Sequence, residues 1–265
     1  DSVREIGGSA FYNCGNLGSV TIGNNVESIG GSAFSGCSSL KEVEIPYSVT
    51  SIGESAFESC VLKDGFTIPN SVKSIGKKAF ASCSGLQNVI IGNGETITDS
   101  VTSIGERAFE NCSKLASVKI GNNIQSIGVS TFSGCSALAN VTIGNNVESI
   151  GNSAFENCTQ LQLVNMNNNK LKNIGEKAFI NCNLLSKFDI PSTVESIGNY
   201  AFSSCSSLKE VTIPDKVESI GERAFENCVL KDGFTIPNSV TNIGNYAFSG
   251  CSGLQNVIIG NGETI

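Results

Sequence analysis

The sequence predicts a solenoid, an elongated protein in which short coils of chain stack on one another. Eleven cysteines recur through the 265 residues, at intervals of 23 residues apart from one interval of 29 and one of 24. A phenylalanine stands three residues before every cysteine. A fixed period of this length indicates a tandem array whose neighbouring coils bury one another's apolar faces. Because no linker interrupts the period, we expect residues 1–265 to form a single unit of eleven coils, excised from a longer array.

The first element of each coil is predicted to be a short strand. In the coil that ends at the third cysteine, Val43 and Ile45 alternate with two glutamates. This period of two is typical of a strand with one side in a core and the other in solvent. Pro46 follows, and because proline has no backbone N–H to donate, we expect it to end the strand and turn the chain.

The second half of the coil is predicted to return across the core. Val49 and Ile52 point inward again and suit a second extended segment, and Gly53 permits the corner after it. Phe57 and Cys60 are then spaced for one face of a single helical or 3₁₀ turn. The full set of elements therefore predicts an α/β-type repeat solenoid.

Stacking is what makes such a coil stable, because its few inward side chains cannot form a core alone. Parallel strands lie about 4.7–4.9 Å apart, so equivalent residues of successive coils form columns. The phenylalanines are expected to form the main one, here called the phenylalanine column: Phe11, Phe34, Phe57, Phe80, Phe109, Phe132, Phe155, Phe179, Phe202, Phe225 and Phe248.

Some coils depart from the common pattern in length. Six additional residues between Ile91 and Val101 are expected to loop out at one rim of the solenoid, and one additional residue within 165–170 is expected to form a local bulge.

Part of the chain occurs twice. Residues 61–97 recur as 229–265 with six differences over 37 positions, an offset of 168 residues that indicates duplication of a seven-coil block. In both copies the leucine comes one position early, and we expect Leu62 and Leu230 still to fill the leucine pocket. Gly65 and Gly233 are expected to absorb the resulting distortion.

The composition excludes several classes of function. Seventeen basic residues against 24 acidic ones give a net charge of −7, which disfavours a nucleic-acid partner. The longest apolar runs are only a few residues, so no membrane insertion is expected in this segment. Histidine is absent, which removes the commonest general base and nitrogen metal ligand, and no other group of residues suggests catalysis. We therefore expect no enzyme activity and no cofactor.

The regular cysteines could suggest disulfides or a metal site. No Cys-x-x-Cys pair is present to bind a metal, and cysteines stacked with parallel side chains have the wrong geometry for a disulfide. We therefore expect buried, reduced thiols that act as small apolar side chains inside each coil.

The repeating string Leu-x-x-Val-x-Ile-Pro-x-x-Val-x-x-Ile-Gly-x-x-Ala-Phe-x-x-Cys, read from Leu40 to Cys60, resembles the BspA-like leucine-rich repeats of bacterial and protozoan surface proteins. The resemblance implies a right-handed leucine-rich repeat superhelix with a concave parallel β-sheet, short second strands and helical or 3₁₀ turns on the convex side. It also implies a cell-surface or extracellular location and a role in adhesion.

Binding, if it occurs on the sheet, would use the outward residue between the two buried residues of each first strand. The candidate residues are Thr21, Glu44, Thr67, Ile90, Lys119, Thr142, Asn165, Asp189, Thr212, Thr235 and Ile258. Most are short, which suits an extended protein partner, and Ile90 and Ile258 would add exposed apolar patches. The alternative is that these residues are present only because threonine and isoleucine favour strands.

Two functions remain open from the sequence. The first is a protein-binding module of a cell-surface adhesin that attaches to a host matrix protein or to a protein of a neighbouring cell. The second is a structural spacer that presents another domain. Exposed strands and apolar coil faces would also allow end-to-end self-association.

Overall fold

The computed structural model describes residues 2–92, 101–166 and 170–260. Within these ranges the chain contains β-strands and turns but no helix. It winds through eleven coils as a parallel β-solenoid of the leucine-rich repeat type, and two rows of parallel strands run along the stack.

The strands that begin each coil form the first row, here called the strand row. Its members are β2 (Ser19–Thr21), β4 (Glu42–Glu44), β7 (Asn88–Ile91), β9 (Ser117–Ile120), β11 (Asn140–Ile143), β13 (Leu163–Met166), β15 (Lys187–Phe188), β17 (Glu210–Val211), β19 (Phe234–Ile236) and β21 (Val257–Ile259). Between β4 and β7 the row continues as an isolated parallel bridge from Ile68 to Ile91.

Two-residue strands form the second row, here called the return row. Its members are β1 (Glu5–Ile6), β3 (Ser28–Ile29), β5 (Ser51–Ile52), β6 (Ser74–Ile75), β8 (Ser103–Ile104), β10 (Ser126–Ile127), β12 (Ser149–Ile150), β14 (Asn173–Ile174), β16 (Ser196–Ile197), β18 (Ser219–Ile220) and β20 (Asn242–Ile243). Each of these strands presents one isoleucine, nearly all of them buried, and in β3, β6, β12 and β14, for example, it stands beside a more exposed serine or asparagine. The short second strands predicted from the sequence are therefore confirmed.

Wherever strands of successive coils pair, equivalent residues are partners. In the strand row Val118 pairs with Val141, which pairs with Val164, and in the return row Ile127 pairs with Ile150. Equivalent residues therefore lie directly above one another, as the fixed period predicts. One hydrophobic cluster consequently runs from Ile22 to Ala247.

The phenylalanine column is the centre of that cluster. Nine of its rings have no exposed surface, and successive ring centroids lie 5.1–5.5 Å apart with interplanar angles of 1–12°. Rings at this distance and nearly parallel are in the offset stacking range. Phe188 and Phe234 of the strand row, and Phe66 two residues before the Ile68 bridge, pack against the column at steeper angles.

The predicted helical or 3₁₀ turn around the phenylalanine is wrong. In the coil of Phe34, the residues before Ala33 and before Cys37 have positive φ, 53° at Ser32 and 74° at Gly36, and the same two positions are left-handed in every coil. Hydrogen bonds from Ala33 N to Gly30 O and from Cys37 N to Phe34 O close consecutive tight turns. A positive φ at the third residue is typical of type II turns.

Pairing between coils explains this difference. The N–H groups of Ser32, Phe34 and Gly36 donate to the carbonyls of residues 54, 56 and 58 in the next coil, at 2.7–2.8 Å. A helical turn would direct these N–H groups back along its own coil. Because the left-handed residues turn every second N–H toward the neighbour, the turns form a backbone ladder of their own.

Most of the cysteines are buried thiols, as predicted. All eleven are free thiols, and nine are buried, whereas Cys14 is exposed and Cys251 half-buried. Ten of them also donate an S–H hydrogen bond, at 3.1–3.3 Å, to the carbonyl of the phenylalanine in the preceding coil. Desolvation by burial raises the pKa of Cys60 and of Cys205 to about 12. These thiols are therefore neutral at physiological pH.

The early leucines behave as the sequence predicts. Leu62 and Leu230 have no exposed surface, and Gly65 and Gly233 have φ angles of 81° and 73°. Instead of closing the usual turn after the cysteine, the chain donates backbone hydrogen bonds from residues 61 and 63 to the preceding coil. Residues 93–100 of the predicted rim loop and residues 167–169 of the predicted bulge lie outside the described residues.

Candidate interaction surface

The outward residues of the strand row form one exposed line along the stack. Ten of the eleven predicted binding residues are exposed and Lys119 is half-buried. The registers place Thr21 beside Glu44, and Thr235 beside Ile258. In the four-stranded sheet of the strand row, Ile90, Lys119, Thr142 and Asn165 are successive neighbours. The structure therefore brings the predicted residues together as adjacent positions of one surface.

The exposed isoleucines predicted on this surface are present. Ile90 is 46% exposed and Ile258 is 48% exposed. Leu163, at the outward-facing start of β13, is 47% exposed and was not among the predicted residues. The strand row thus presents apolar side chains to solvent at several positions that could contact a partner.

Ion pairs join neighbouring coils on the same side of the molecule. Lys63 Nζ lies 2.9 Å from Glu42 Oε1, and Lys231 pairs in the same way with Glu210. These contacts lower the pKa of Glu42 and of Glu210, chiefly through the hydrogen bond that each carboxylate accepts from its lysine. The carboxylates therefore stay ionised well below neutral pH.

A third ion pair lies within one strand segment. Lys187 Nζ is 3.0 Å from Asp189 Oδ2, and the hydrogen bond between them raises the pKa of Lys187. The three ion pairs therefore place charges of both signs on or beside the line.

The hollows on this side are shallow and polar. One of about 380 Å³ is lined by residues of β2, β4 and the Lys63–Phe66 segment, and one of about 500 Å³ by the corresponding residues 187–235. Among the described residues, no group of three or more cysteine, aspartate or glutamate side chains could hold a metal ion. The surface can supply hydrogen bonds, charges and apolar contacts to a partner.

Sequence reasoning missed the pairs between coils. Glu42 and Lys63 are only 21 residues apart, and they meet because the early Leu62 brings the next lysine forward. Asn88 Nδ2 also donates to Asp64 Oδ1 at 3.0 Å, 24 residues away. A search for opposite charges separated by roughly one period would have found the ion pairs.

Another missed feature accompanies the early leucine. A Cβ atom at Gly85 would lie 2.3 Å from the carbonyl oxygen of Leu62, and one at Gly253 would lie 2.3 Å from that of Leu230. Each of these glycines stands in the coil immediately after an early leucine. A side chain cannot fit there, so each coil with an early leucine requires a glycine at this position in the next coil.

The family of the chain follows from a comparison with protein-family models. The model described as BspA type leucine rich repeat region (6 copies) matches residues 4–100, 93–187 and 172–265. The chain belongs to the BspA-type leucine-rich repeat family. The leucine-rich repeat is a typical protein-interaction fold. Proteins of the family are generally non-enzymatic binding modules, and the comparisons indicate no enzyme family.

Solved structures of bacterial leucine-rich repeat proteins are similar to this BspA-type chain. A leucine-rich repeat protein from Bacteroides ovatus is 25% identical with a TM-score of 0.54, and the match covers 97% of this chain and 88% of that one. A leucine rich cell surface protein from Faecalibacterium prausnitzii is 30% identical with a TM-score of 0.55, covering 99% and 65% respectively.

A third similar structure is the leucine rich repeat protein of T. pallidum, which is 34% identical with a TM-score of 0.54 over 60% of this chain and 72% of that one. A comparison with curated proteins finds no match. Among the described residues of this BspA-type chain, no helix has the length and apolar character needed to cross a membrane.

Proposed function

We propose that the chain is a non-enzymatic protein-binding module of a cell-surface adhesin. In this proposal it attaches to a host matrix protein, or to a protein of a neighbouring cell, through the outward residues of the strand row. This is the face that the family resemblance predicts to be concave. An extracellular or cell-surface location is part of the proposal, and the cell-surface relative from Faecalibacterium prausnitzii supports it.

The observation that carries the proposal is the exposed line itself. It combines small polar side chains and exposed isoleucines on a rigid ladder, as at Ile90 and Thr142, and ion pairs such as Glu42–Lys63 lie beside it. Interfaces between proteins combine apolar contacts with hydrogen bonds in this way. A row of parallel strands also fixes the spacing of these groups, so little entropy is lost when a partner binds.

A test compares positive charges added on the strand row with positive charges added beside the return row. Replacing Thr67, Thr142 and Thr235 with arginine places three bulky cations on the strand row. The control replaces three exposed threonines that precede return-row strands, Thr50, Thr102 and Thr241, in the same way. Binding of the purified proteins to immobilised matrix proteins and to mucosal epithelial cells is then measured.

We expect the strand-row variant to lose at least tenfold in affinity and the control to retain wild-type affinity. Equal loss in both variants would place the binding surface elsewhere. No attachment of the wild-type protein to any matrix protein or cell would contradict the adhesin proposal.

A spacer is the second candidate function, favoured by the uninterrupted cluster from Ile22 to Ala247. As a spacer, the array would hold another domain at a distance and need no ligand of its own. The strand-row arginine variant would then support attachment of the full protein as well as the wild type does.

A further inference from the structure

The duplicated block places the same charged surface on the molecule twice. The first charged subsite consists of Lys41, Glu42, Lys63, Asp64 and Ile90. The second charged subsite consists of Lys209, Glu210, Lys231, Asp232 and Ile258, each 168 residues further along the chain. Seven coils separate them, so at about 4.8 Å per coil they lie roughly 34 Å apart along the stack.

The contacts within the two subsites correspond closely. The ion pair between Lys63 and Glu42 recurs between Lys231 and Glu210. Asn88 Nδ2 donates to Asp64 at 3.0 Å, and Asn256 Nδ2 donates to Asp232 at 3.1 Å. The backbone hydrogen bonds that hold Lys63 to Lys41 and Lys231 to Lys209 are both 3.0 Å long.

The differences between the two copies avoid this surface. All six differences between residues 61–97 and 229–265 fall within 73–82 and 241–250, on the return row and its following turns. In the preceding coil, residues 38–43 are identical to 206–211, and the first difference on the strand row is Glu44, which is replaced by Thr212. A partner therefore meets the same five side chains at both places, although Ser19 pairs beside Glu42 in the first and Lys187 pairs beside Glu210 in the second.

The charges within each subsite indicate what it can bind. Glu42 and Lys63 neutralise each other, whereas neither Lys41 nor Asp64 forms an ion pair with any described residue. These two charges of opposite sign, together with the exposed Ile90, complement a segment that carries an acidic, an apolar and a basic side chain.

We propose that the two charged subsites bind two copies of one extended polypeptide segment of this mixed-charge type. The partner is then a repetitive or oligomeric protein that offers the segment at a spacing of roughly 34 Å. This inference rests on the proposed protein-binding function and adds to it the valency and the chemical class of the segment. Two weak contacts held by one partner give a combined affinity well above that of either contact.

The test begins by disabling one subsite. Lys209→Glu with Asp232→Lys reverses both unpaired charges of the second subsite, and Lys41→Glu with Asp64→Lys does so in the first. All four residues are exposed. Because Asp232 accepts hydrogen bonds from the backbone N–H groups of Gln255 and Asn256, thermal unfolding checks that each variant is folded. A random dodecapeptide library is selected on the second-subsite variant, with the variant altered at both subsites used to remove unrelated binders.

The selected peptide is then titrated by calorimetry. We expect two sites on the wild type, one on either single-subsite variant and none when both subsites are altered. A tandem peptide whose linker spans roughly 34 Å should bind the wild type at least tenfold more tightly than it binds either single-subsite variant. One site on the wild type, or no peptide that depends on the first subsite, overturns the inference.

The same variants separate this inference from the proposed function. Two peptide sites on a wild type that attaches to no matrix protein or cell would support the inference and contradict the adhesin function. Attachment to matrix proteins that survives reversal of both subsites would support the adhesin function and contradict the inference.

Discussion

Each buried cysteine has two roles in its coil. Its side chain fills a small space beside the phenylalanine column, and its S–H donates to a phenylalanine carbonyl in the coil before it, as Cys135 does to Phe109 at 3.1 Å. Serine could donate the same bond but would place a more polar atom in an apolar core. Alanine would be apolar but could not donate.

The raised pKa of the buried thiols predicts a loss of stability in alkaline solution. Burial raises the pKa of Cys60 and Cys205 to about 12, whereas in the unfolded chain each thiol ionises near 9. The stabilising contribution is complete below pH 9 and falls as the pH rises toward 12, by about 1.4 kcal/mol per thiol per pH unit. Urea unfolding between pH 7 and 10.5, with reductant present, measures it.

A variant with both Cys60 and Cys205 replaced by alanine is the control for the alkaline effect. Its free energy of unfolding should fall more gently with pH, by about 2–3 kcal/mol less per pH unit. Identical pH dependence in the two proteins would show that these thiols ionise equally well in the folded state.

The phenylalanine column predicts a large cost for removing one ring. Phe132 has no exposed surface and stacks at 5.5 Å on Phe109 and 5.4 Å on Phe155. Phe132→Ala should lower the free energy of unfolding by about 3–5 kcal/mol, because it leaves a cavity and two unstacked rings. Phe132→Leu should cost less, and both are measured by urea denaturation. A cost below 1 kcal/mol for alanine would contradict the role of the column.

The elements differ in how far the sequence predicts them. Both strands of a coil follow from local alternation, as at Val43 and Ile52, because a buried and an exposed side are properties of single residues. The turn around Phe-x-x-Cys does not follow from the local sequence. A spacing of three residues fits one helical turn as well as it fits two tight turns. Pairing with the next coil decides between them, and that pairing is a property of the stack.

The same distinction applies to the candidate surface. Its outward line follows from strand alternation, so Ile90 and Thr142 could be placed from the sequence. The ion pair of Glu42 with Lys63 could not be predicted from the sequence, because it depends on the one-residue shift of Leu62 relative to the leucine of the neighbouring coil. Contacts between coils need the register as well as the pattern.

The coil of the early Leu62 predicts that replacing Gly85 destabilises the protein. A Cβ there would lie 2.3 Å from Leu62 O and 2.5 Å from Val61 O, both backbone atoms. Gly85→Ala should therefore lower the free energy of unfolding by about 1–3 kcal/mol. Gly23→Ala is the matched control, because nothing lies within 4 Å of that position, and it should have almost no effect. Thermal unfolding of the two variants compares them, and equal effects would contradict the clash.

At the scale of the whole molecule, the repeat makes a coil a removable unit. Each coil contacts mainly its two neighbours through registers that hardly change along the stack. Stability is then approximately a sum of terms for coils and for their interfaces.

Removing residues 126–148 tests this view, since the 23-residue deletion joins Gln125 to Ser149 and restores the pattern. The shortened protein should keep the circular dichroism spectrum of the wild type and lose one coil, about 4.8 Å of stack length, in small-angle scattering. Removing only residues 126–137 breaks the register and should abolish cooperative unfolding. The same behaviour in both deletions would show that the period does not govern folding.

The two backbone ladders also determine how the protein responds to mechanical tension. On the strands, N–H groups donate to the preceding coil, whereas in the turns they donate to the following one, so every interface is crossed by bonds nearly parallel to the long axis. A pulling force applied at the two termini would open these bonds one winding at a time. Each 23-residue winding that detaches would release about 75–80 Å of contour length. A chain built in this way can lengthen stepwise under load while the remainder stays folded.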